Sequence, residues 1–200
     1  MLHRAEDRVV SPDTRRAERR PPGQHLTRKF PVLTYGATPQ VSTAEWRFGV
    51  TGLVQDPRTW TWDEFHALGT HEVLADFHCV TTWSRLDNLW TGVLTRTLLG
   101  VIRLRPEARY VTVHCHGGYT TNLPLDVFGD TDCLFAYLHD GKPLELDHGG
   151  PMRLVVPKRY AWKSAKWVQG VELTAEDRPG FWEVNGYSNS ADPWLEERYW

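Results

Sequence analysis

The residues best suited to chemistry lie in one stretch toward the carboxyl end of the chain, residues 147–168. Its cations can neutralise phosphate, and its small residues let a ligand approach the backbone closely. This combination indicates a site for a large phosphorylated ligand. The cations include Arg153, Lys158, Lys163 and Lys166, and the small residues are Gly149, Gly150, Ser164 and Ala165.

A second group suited to chemistry is the thiol of Cys79, which lies in the sequence AspPheHisCysValThrThrTrp. A thiolate is the soft ligand that thiophilic metals prefer, and a nearby metal or cation lowers its pKa. A lone cysteine is more often a small buried residue of the core. The polar neighbours favour a site here, because they can place positive charge and hydrogen-bond donors near the sulfur. They are His78, Thr81, Thr82, Ser84 and Arg85.

The composition is that of an ordinary globular domain, with 200 residues, 40% hydrophobic and 24% charged. A formal net charge of −2 argues against a general binder of nucleic acid or of anionic membranes, since these functions need a basic face. The chain has no apolar run long enough to span a bilayer and no apolar signal-peptide core at its start. We therefore expect a cytoplasmic protein without nucleic-acid or membrane partners.

The chain divides into an arginine-rich tail, residues 1–28, and one folded domain, residues 29–200. The tail has seven arginines, few apolar residues and a ProPro step. Such a composition buries too little apolar surface to offset the entropy lost on ordering. The sequence therefore predicts a flexible or loosely docked tail.

Within the domain, patterns typical of strands outnumber those typical of helices. Residues 110–116 alternate, which places Cys115 on a core-facing side and His114 and His116 on the other. We expect an α+β domain around a mixed sheet. Strands are predicted at 46–54, 71–77, 110–116, 133–138, 153–157 and 167–173, and helices at 62–68, capped by Thr61, and at 92–104.

Together these segments resemble the molybdenum-cofactor domain of the sulfite oxidase family, in its short single-domain bacterial form. That family has a cysteine that binds the metal and a later HisGlyXaaProXaaArg segment that binds the pterin. Here Cys79 matches the former, and residues 148–153, HisGlyGlyProMetArg, match the latter. The resemblance runs from about residue 30 to residue 200. It implies a mixed-sheet sulfite-oxidase-type fold, a molybdenum-molybdopterin cofactor and Cys79 as the protein's sulfur ligand.

The resemblance also implies a set of cofactor-binding residues. Ser164, Ala165 and Lys166 fall where the family's phosphate-binding backbone and lysine lie, and donors with an ammonium suit a phosphate dianion. His114 or His116 is expected to line the cofactor pocket. The predicted cofactor-binding set is His78, Cys79, Thr81, Ser84, His116, His148, Gly149, Arg153, Lys163, Ser164, Ala165 and Lys166.

The predicted catalytic residues are Cys79, Tyr119 and Arg85. Tyr119 lies in GlyTyrThrThrAsnLeuPro, which is similar to the family segment whose tyrosine reaches the metal's oxo or substrate face. A phenol there can donate a hydrogen bond to an oxyanion. The cysteine is followed by ValThrThrTrpSerArg, not by the GlyAsnArgArg type of sulfite oxidases proper. Only Arg85 remains as a local anion-binding arginine, so sulfite is not indicated as substrate.

We therefore predict a cytoplasmic molybdopterin-dependent oxidoreductase. It would transfer an oxygen atom and two electrons on a small oxyanion, sulfoxide or similar substrate, with a separate and unidentified electron-transfer partner. No haem, flavin or nicotinamide motif is present in the sequence. Two alternatives stay open. One is a cysteine-dependent hydrolase or transferase using Cys79 with His78 or His114 as base, and the other is a non-catalytic phospholigand or pterin-binding module.

Overall fold

Two β-sheets dominate the computed structural model, which describes residues 8–200. The strands are β1 (Arg8–Val10), β2 (His25–Leu26), β3 (Arg47–Gly52), β4 (Arg58–Thr61), β5 (His71–His78), β6 (Trp83–Leu94), β7 (Tyr110–Cys115), β8 (Thr120–Pro124), β9 (Leu134–His139), β10 (Lys142–Pro143), β11 (Arg153–Val155) and β12 (Val168–Thr174). The helices are α1 (Trp62–His66), α2 (Thr95–Val101), α3 (Leu125–Phe128) and α4 (Phe181–Val184).

Both sheets are mixed. The first has the order β1-β5-β6-β9-β10, with β11 also beside β9 and β2 also beside β6, and the second has the order β4-β3-β12-β7-β8. The pairs β1 with β5, β2 with β6 and β3 with β12 are parallel, whereas the remaining pairs are antiparallel. Mixed sheets with few and short helices confirm the predicted α+β class.

The central strands of the first sheet are buried on both of their faces. On β9, Phe135 points into the core between the sheets, where its ring lies 4.9 Å from that of Phe48 on β3. The neighbouring residues Leu134 and Ala136 point to the opposite face and join a second cluster around Trp90. Because successive side chains of a strand alternate in direction, a strand buried on both faces needs a continuous apolar run. This sheet is therefore a rigid support for the loops at its ends.

The first predicted helix is confirmed and its cap is present. The Thr61 backbone amide donates to Glu64 Oε2 at 2.8 Å, and the Glu64 amide donates to Thr61 Oγ1 at 3.4 Å. This reciprocal pair is a capping box, which satisfies amides that the first helical turn leaves free. The helix then buries Phe65 against the core between the sheets.

The prediction of a helix over residues 92–104 is wrong for its first three residues, and it extends beyond the end of the observed helix. Gly92, Val93 and Leu94 continue β6, and only α2 is helical. The backbone of Gly92 lies directly against the backbone of Phe135, and this close pairing of strands leaves no room for a side chain. Val93 and Leu94 then point to opposite faces of the sheet. The apolar spacing therefore came from a strand and a helix joined end to end.

Residues 8–28 are part of the fold, which corrects the predicted flexible tail of residues 1–28. β1 pairs with β5 and β2 pairs with β6, so this segment extends the first sheet. Residues 1–7 of the predicted tail lie outside the described residues.

Buried polar contacts hold this amino-terminal segment. Arg19 makes a two-bond contact with Asp76, at 2.6 and 2.9 Å, and a further bond to Asp87 at 2.7 Å. Ser11 donates to the buried carboxylate of Asp132 at 2.6 Å. Paired guanidinium and carboxylate groups with two bonds are among the stronger polar contacts in proteins. The composition of the segment could not predict this docking, because its partners lie far away in the sequence.

The close approach at Gly92 predicts a change in stability. We expect Gly92→Ala to lower the free energy of unfolding by about 2 kcal/mol, since a methyl group would push β6 away from β9. Gly100→Ala is the matched control, because Gly100 is exposed in α2 with nothing within 4 Å of an added Cβ. There we expect a gain of about 0.5 kcal/mol from helix propensity. Denaturant unfolding measures both, and similar effects at the two sites would contradict the prediction.

Candidate functional site

A cavity of about 580 Å³ opens where the ends of the two sheets meet. One wall is the Cys79 turn (residues 79–82), which joins β5 to β6 of the first sheet, and another is the turn after β7 of the second sheet, residues 116–118. The loop between β11 and β12 and a crossing segment (residues 30–37) complete it. A cavity of this size suits a small-molecule ligand or cofactor.

The Cys79 turn buries its sulfur in the cavity wall. The Cys79 amide donates to the Trp83 carbonyl at 2.9 Å and the Thr82 amide donates to the Cys79 carbonyl at 3.0 Å, which closes a tight turn. Cys79 Sγ accepts a hydrogen bond from Thr81 Oγ1 at 3.1 Å. Burial raises the pKa of the Cys79 thiol, although the hydrogen bonds from Thr81 and Val80 oppose this change. The thiol therefore keeps its proton at neutral pH, and a metal or another cation that binds the sulfur has to displace that proton.

Arg153 brings a buried positive charge into the cavity. Its side chain donates to the His148 carbonyl at 2.9 Å and to the Ser164 carbonyl at 2.7 Å, and the residue is 3% exposed. The rings of Phe77 and Trp90 flank it at 5.2 and 5.7 Å. Burial lowers the pKa of Arg153 to about 10, so the group stays charged at neutral pH. No carboxylate among residues 8–200 forms an ion pair with it, and such an unpaired charge favours an anionic ligand.

Lys166 adds a second cation to the same cavity. Its ammonium donates to the Leu33 carbonyl and to Thr34 Oγ1, each at 2.9 Å. Burial and the neighbouring charge of Arg153 lower the pKa of Lys166 to about 8. Within the described part of the chain, the backbone amides of Ala165 and Lys166 donate to no acceptor. Two cations and two free amides together match the needs of a phosphate or a similar anion.

Two histidines line the cavity in their neutral form. The His116 amide donates to the Trp167 carbonyl at 2.9 Å, while its buried Nε2 has no hydrogen-bond partner among residues 8–200. His148 stacks on Phe30 with ring centres 4.2 Å apart. Burial lowers the pKa of both rings. They can therefore exchange hydrogen bonds with a neutral heterocycle. Of the two candidates His114 and His116, only His116 lines this cavity.

Tyr119, predicted to face the substrate, lines the cavity, and its hydroxyl proton is used in a hydrogen bond within the protein. Its hydroxyl donates to the Trp162 carbonyl at 2.7 Å, and its ring lies 5.9 Å from that of Phe181. Burial raises the pKa of the phenol well above its ordinary value. The phenol is therefore neutral, and donation to a substrate requires the bond to Trp162 to break.

His78 and Ser84 do not lie in the cavity, which corrects their predicted contact with the ligand. His78 Nδ1 lies 2.8 Å from Ser84 Oγ, and both residues are fully buried. Burial lowers the pKa of His78 to about 4, so the ring is neutral. His78 immediately precedes Cys79 at the end of a strand, and successive side chains there point to opposite sides.

Arg85 and Lys163 are also directed away from the cavity. Arg85 is bound by Asn88, His139 and Asp140, so it does not face a substrate as predicted. A cation with this many partners is satisfied within the protein.

Lys163, predicted to bind the cofactor, forms a buried ion pair instead. Its ammonium lies 2.6 Å from Glu183 Oε1 and donates to the Asn122 carbonyl at 2.9 Å. The sequence could not separate Lys163 from Lys166, because their partners come from distant segments.

Gly149 supports the site without lining it. It has a φ of +102°, and an added Cβ would lie 3.0 Å from the Cβ atoms of both Arg153 and Lys166. A side chain here would strain the backbone and displace both cations. The predicted role of Gly149 as a direct cofactor contact therefore becomes one of packing.

Aromatic side chains that sequence reasoning did not assign to the site form much of the cavity wall. The sequence has ten tryptophans, and that count alone predicted only bulky burial. The residues come from separate segments, so no spacing motif marks them. The unpredicted aromatic residues are Phe30, Tyr35, Phe77, Trp83, Trp162, Trp167, Phe181, Trp182 and Tyr187.

Comparison with known proteins identifies close relatives. An oxidoreductase, YuiH, of Bacillus subtilis (strain 168) is 45% identical over 180 residues, which cover 90% of this chain and 91% of that protein. A protein named protein-methionine-sulfoxide reductase catalytic subunit MsrP, of Campylobacter jejuni, is 28% identical over 165 residues. That match covers 71% of this chain and 53% of the relative, so the chain spans about half the length of that relative.

Among solved structures, the sulfane dehydrogenase SoxCD of Paracoccus pantotrophus has a similar fold, with a TM-score of 0.64 and 20% identity. The likeness covers 70% of this chain and 41% of that chain. It confirms the predicted sulfite-oxidase-type fold with mixed sheets.

A family model matches most of the chain. Residues 35–182 match the family described as oxidoreductase molybdopterin binding domain. The residues of the cavity fit such a cofactor, since a soft thiol, unpaired cations, free amides and an unpartnered imidazole nitrogen converge there. The match confirms the resemblance stated from the sequence, the molybdopterin cofactor and the prediction of an oxidoreductase. The chain therefore belongs to the oxidoreductase molybdopterin binding domain family.

Proposed function

We propose that the cavity holds molybdenum-molybdopterin with Cys79 as the protein ligand of the metal, and that the substrate is a sulfoxide with an apolar flank. The observation that carries this proposal is the buried Cys79 thiol in the same cavity as two cations without carboxylate partners, Arg153 and Lys166. When bound, the cofactor supplies a metal centre that exchanges two electrons and an oxygen atom with the substrate.

The cations and amides hold the anionic part of the cofactor. Arg153 and Lys166 neutralise its charge, and the amides of Ala165 and Lys166 donate hydrogen bonds to its oxygens. The neutral rings of His116 and His148 provide hydrogen bonds and a stacking surface for the pterin. Each of these groups is either unpaired or held only by carbonyl groups, a hydroxyl group and rings, so a ligand competes with no carboxylate for it.

The rest of the wall favours a neutral substrate over a small inorganic oxyanion. An oxyanion needs a cluster of cations, but Arg85 points away from the cavity and Arg153 and Lys166 serve the cofactor. What remains is apolar and aromatic, with Trp182 and Tyr187 in contact at a ring distance of 4.9 Å. Such a wall binds the carbon groups of a sulfoxide. The sulfoxide named in the description of the Campylobacter jejuni relative supports this choice.

For a sulfoxide the reaction is a reduction. The sulfur–oxygen bond breaks, the sulfide is released, and the oxygen leaves as water with two electrons and two protons. The electrons come from a separate redox partner. In the part of the chain that the structure describes, no helix is long and apolar enough to cross a membrane. The cytoplasmic location and the lack of a membrane or nucleic-acid partner remain predictions from the sequence.

The alternative of a cysteine-dependent hydrolase or transferase is not favoured. Both of its candidate bases lie outside the cavity, since His78 is buried against Ser84 and His114 lies 3.3 Å from Glu172. A thiol needs a base within hydrogen-bond reach for this chemistry.

The proposed metal ligand predicts the behaviour of a Cys79→Ser variant. Purified from a host that makes the cofactor, the wild-type chain should contain nearly one molybdenum per chain by elemental analysis. The variant should keep the pterin, because Arg153 and Lys166 remain, but its sulfoxide reduction should fall at least a hundredfold, since changes outside the ligand set alone cost about 10–100-fold. Cys133→Ser, at a buried site away from the cavity, is the control. A wild-type chain that folds without molybdenum contradicts the proposal.

The proposed anion site predicts the effect of Lys166→Ala. We expect about a tenfold loss in the amount of cofactor that the purified chain retains, because a charge-assisted contact is removed. Lys158→Ala is the matched control, since Lys158 is bound to Asp130 at 2.8 Å and does not line the cavity. Equal losses in the two variants would exclude a specific role for Lys166.

The aromatic wall predicts a change in substrate affinity for Trp182→Ala. We expect KM for an alkyl aryl sulfoxide to rise about tenfold because apolar contact is lost, with kcat changed far less. Steady-state kinetics with an artificial electron donor measure both values. Trp200→Ala serves as the control, because Trp200 is 75% exposed and lies outside the cavity. A fall in kcat without a rise in KM would count against substrate contact.

A further inference from the structure

We propose that Gln24 and Arg198 are positioning residues that hold the Cys79 turn from outside the cavity, so that both ends of the chain set the geometry of the metal-binding sulfur. This inference rests on the proposed role of Cys79 as the ligand of the metal. Neither residue lines the cavity, so their influence acts through the backbone of the turn.

The carbonyl groups of the turn are bound from distant parts of the chain. Gln24 Nε2 donates to the Cys79 carbonyl at 3.0 Å, and Arg198 Nη1 donates to the Val80 carbonyl at 2.6 Å. The amide of His25 donates to the Thr82 carbonyl at 2.8 Å. The turn therefore has the sulfur and its hydrogen bonds on the cavity side and three external donors on the outer side.

The burial of Gln24 indicates that its main contribution is the hydrogen bond from its side-chain amide to the Cys79 carbonyl. Gln24 is 6% exposed, and its Oε1 is buried without a hydrogen-bond partner among residues 8–200. Burying an unsatisfied oxygen is costly, and an apolar side chain of the same shape would avoid that cost. An apolar side chain, however, would not donate a hydrogen bond to the Cys79 carbonyl.

Arg198 connects the Cys79 turn to the amino-terminal segment and to the ring of Tyr160. Its guanidinium lies 5.0 Å from the ring centre of Tyr160, and a second nitrogen donates to the Pro22 carbonyl at 3.4 Å. A weaker ion pair to Glu196 spans 3.6 Å. The planar guanidinium can satisfy several acceptors at fixed angles, so it fixes the position of Val80 relative to the amino-terminal segment.

Hydrogen bonds from outside the Cys79 turn matter because the backbone of the turn is itself strained. Thr82 has a φ of +72°, a left-handed conformation that is costly for a β-branched residue. The turn also lies between the ends of β5 and β6, where Val80 and Thr81 have no partner in the strand pairing. A ligand sulfur must be held to within a fraction of an ångström for a defined metal geometry. The outer hydrogen bonds provide that restraint.

The first test measures the mobility of the turn in the full chain without cofactor. Alkylation of Cys79 by iodoacetamide is followed by mass spectrometry, with Cys133 in the same sample as an internal reporter of global unfolding. Gln24→Leu keeps a side chain of similar volume and removes the hydrogen-bond donor to the Cys79 carbonyl. We therefore expect the alkylation of Cys79 to be about tenfold faster. Cys133 should be unchanged. An unchanged rate at Cys79, or an equal increase at both cysteines, would overturn the proposal.

Arg198 allows a conservative rescue. Arg198→Ala should also accelerate Cys79 alkylation, whereas Arg198→Lys keeps a donor for the Val80 carbonyl and should recover most of the wild-type rate. If the lysine variant is as fast as the alanine variant, then the hydrogen bond to the turn is not what Arg198 contributes, and the proposal fails for that residue.

The second test is spectroscopic and uses the loaded enzyme. At equal molybdenum content, the electron paramagnetic resonance spectrum of the partly reduced metal should differ between Gln24→Leu and the wild type, because the metal–sulfur geometry changes. An unchanged spectrum would overturn the positioning role. A wild-type chain that binds no molybdenum would instead defeat the proposed function, while the alkylation experiment would still show whether Gln24 holds the turn.

Discussion

The unpaired charge of Arg153 is the constraint on which the site depends. A guanidinium buried among aromatic rings, with only backbone carbonyl groups as partners, is unfavourable until an anion neutralises it. Its bonds to the carbonyls of His148 and Ser164 join the segments before and after it. Burial and this same charge lower the pKa of Lys166. The cavity is therefore electrostatically incomplete by itself, and the ligand that completes it is an anion.

Each of the two sheets contributes a different part of the cavity wall. The first sheet, apolar on both faces, fixes the end of β5 and thus the start of the Cys79 turn. The second sheet brings His116 in the turn just after β7, and the His116 amide donates to the Trp167 carbonyl just before β12. Neither sheet alone encloses the cavity. Cys79 and the loop that carries Arg153 and Lys166 therefore depend on sheet packing for their relative position.

The sequence singled out residues that stand in short local motifs. Cys79, Arg153 and Lys166 were chosen in this way, and each lines the cavity. Lys163 and Arg85 were misplaced because their partners, Glu183 and Asp140, come from remote segments that no local pattern connects to them. The same limit applied to the amino-terminal segment and the aromatic wall. Strands were predicted where polar and apolar residues alternate, but the helix predicted at residues 92–104 combined a strand end with a short helix.

Lys166 is one of the residues that attach the crossing segment, residues 30–37, to the cavity wall. Its ammonium binds the Leu33 carbonyl and the Thr34 hydroxyl. An incoming anion competes for the same ammonium, because a lysine has only three protons to donate. The Asp147 carbonyl takes a share as well. An anion that binds Lys166 therefore has to displace at least one of these contacts, so occupation of the cavity and attachment of residues 30–37 are linked.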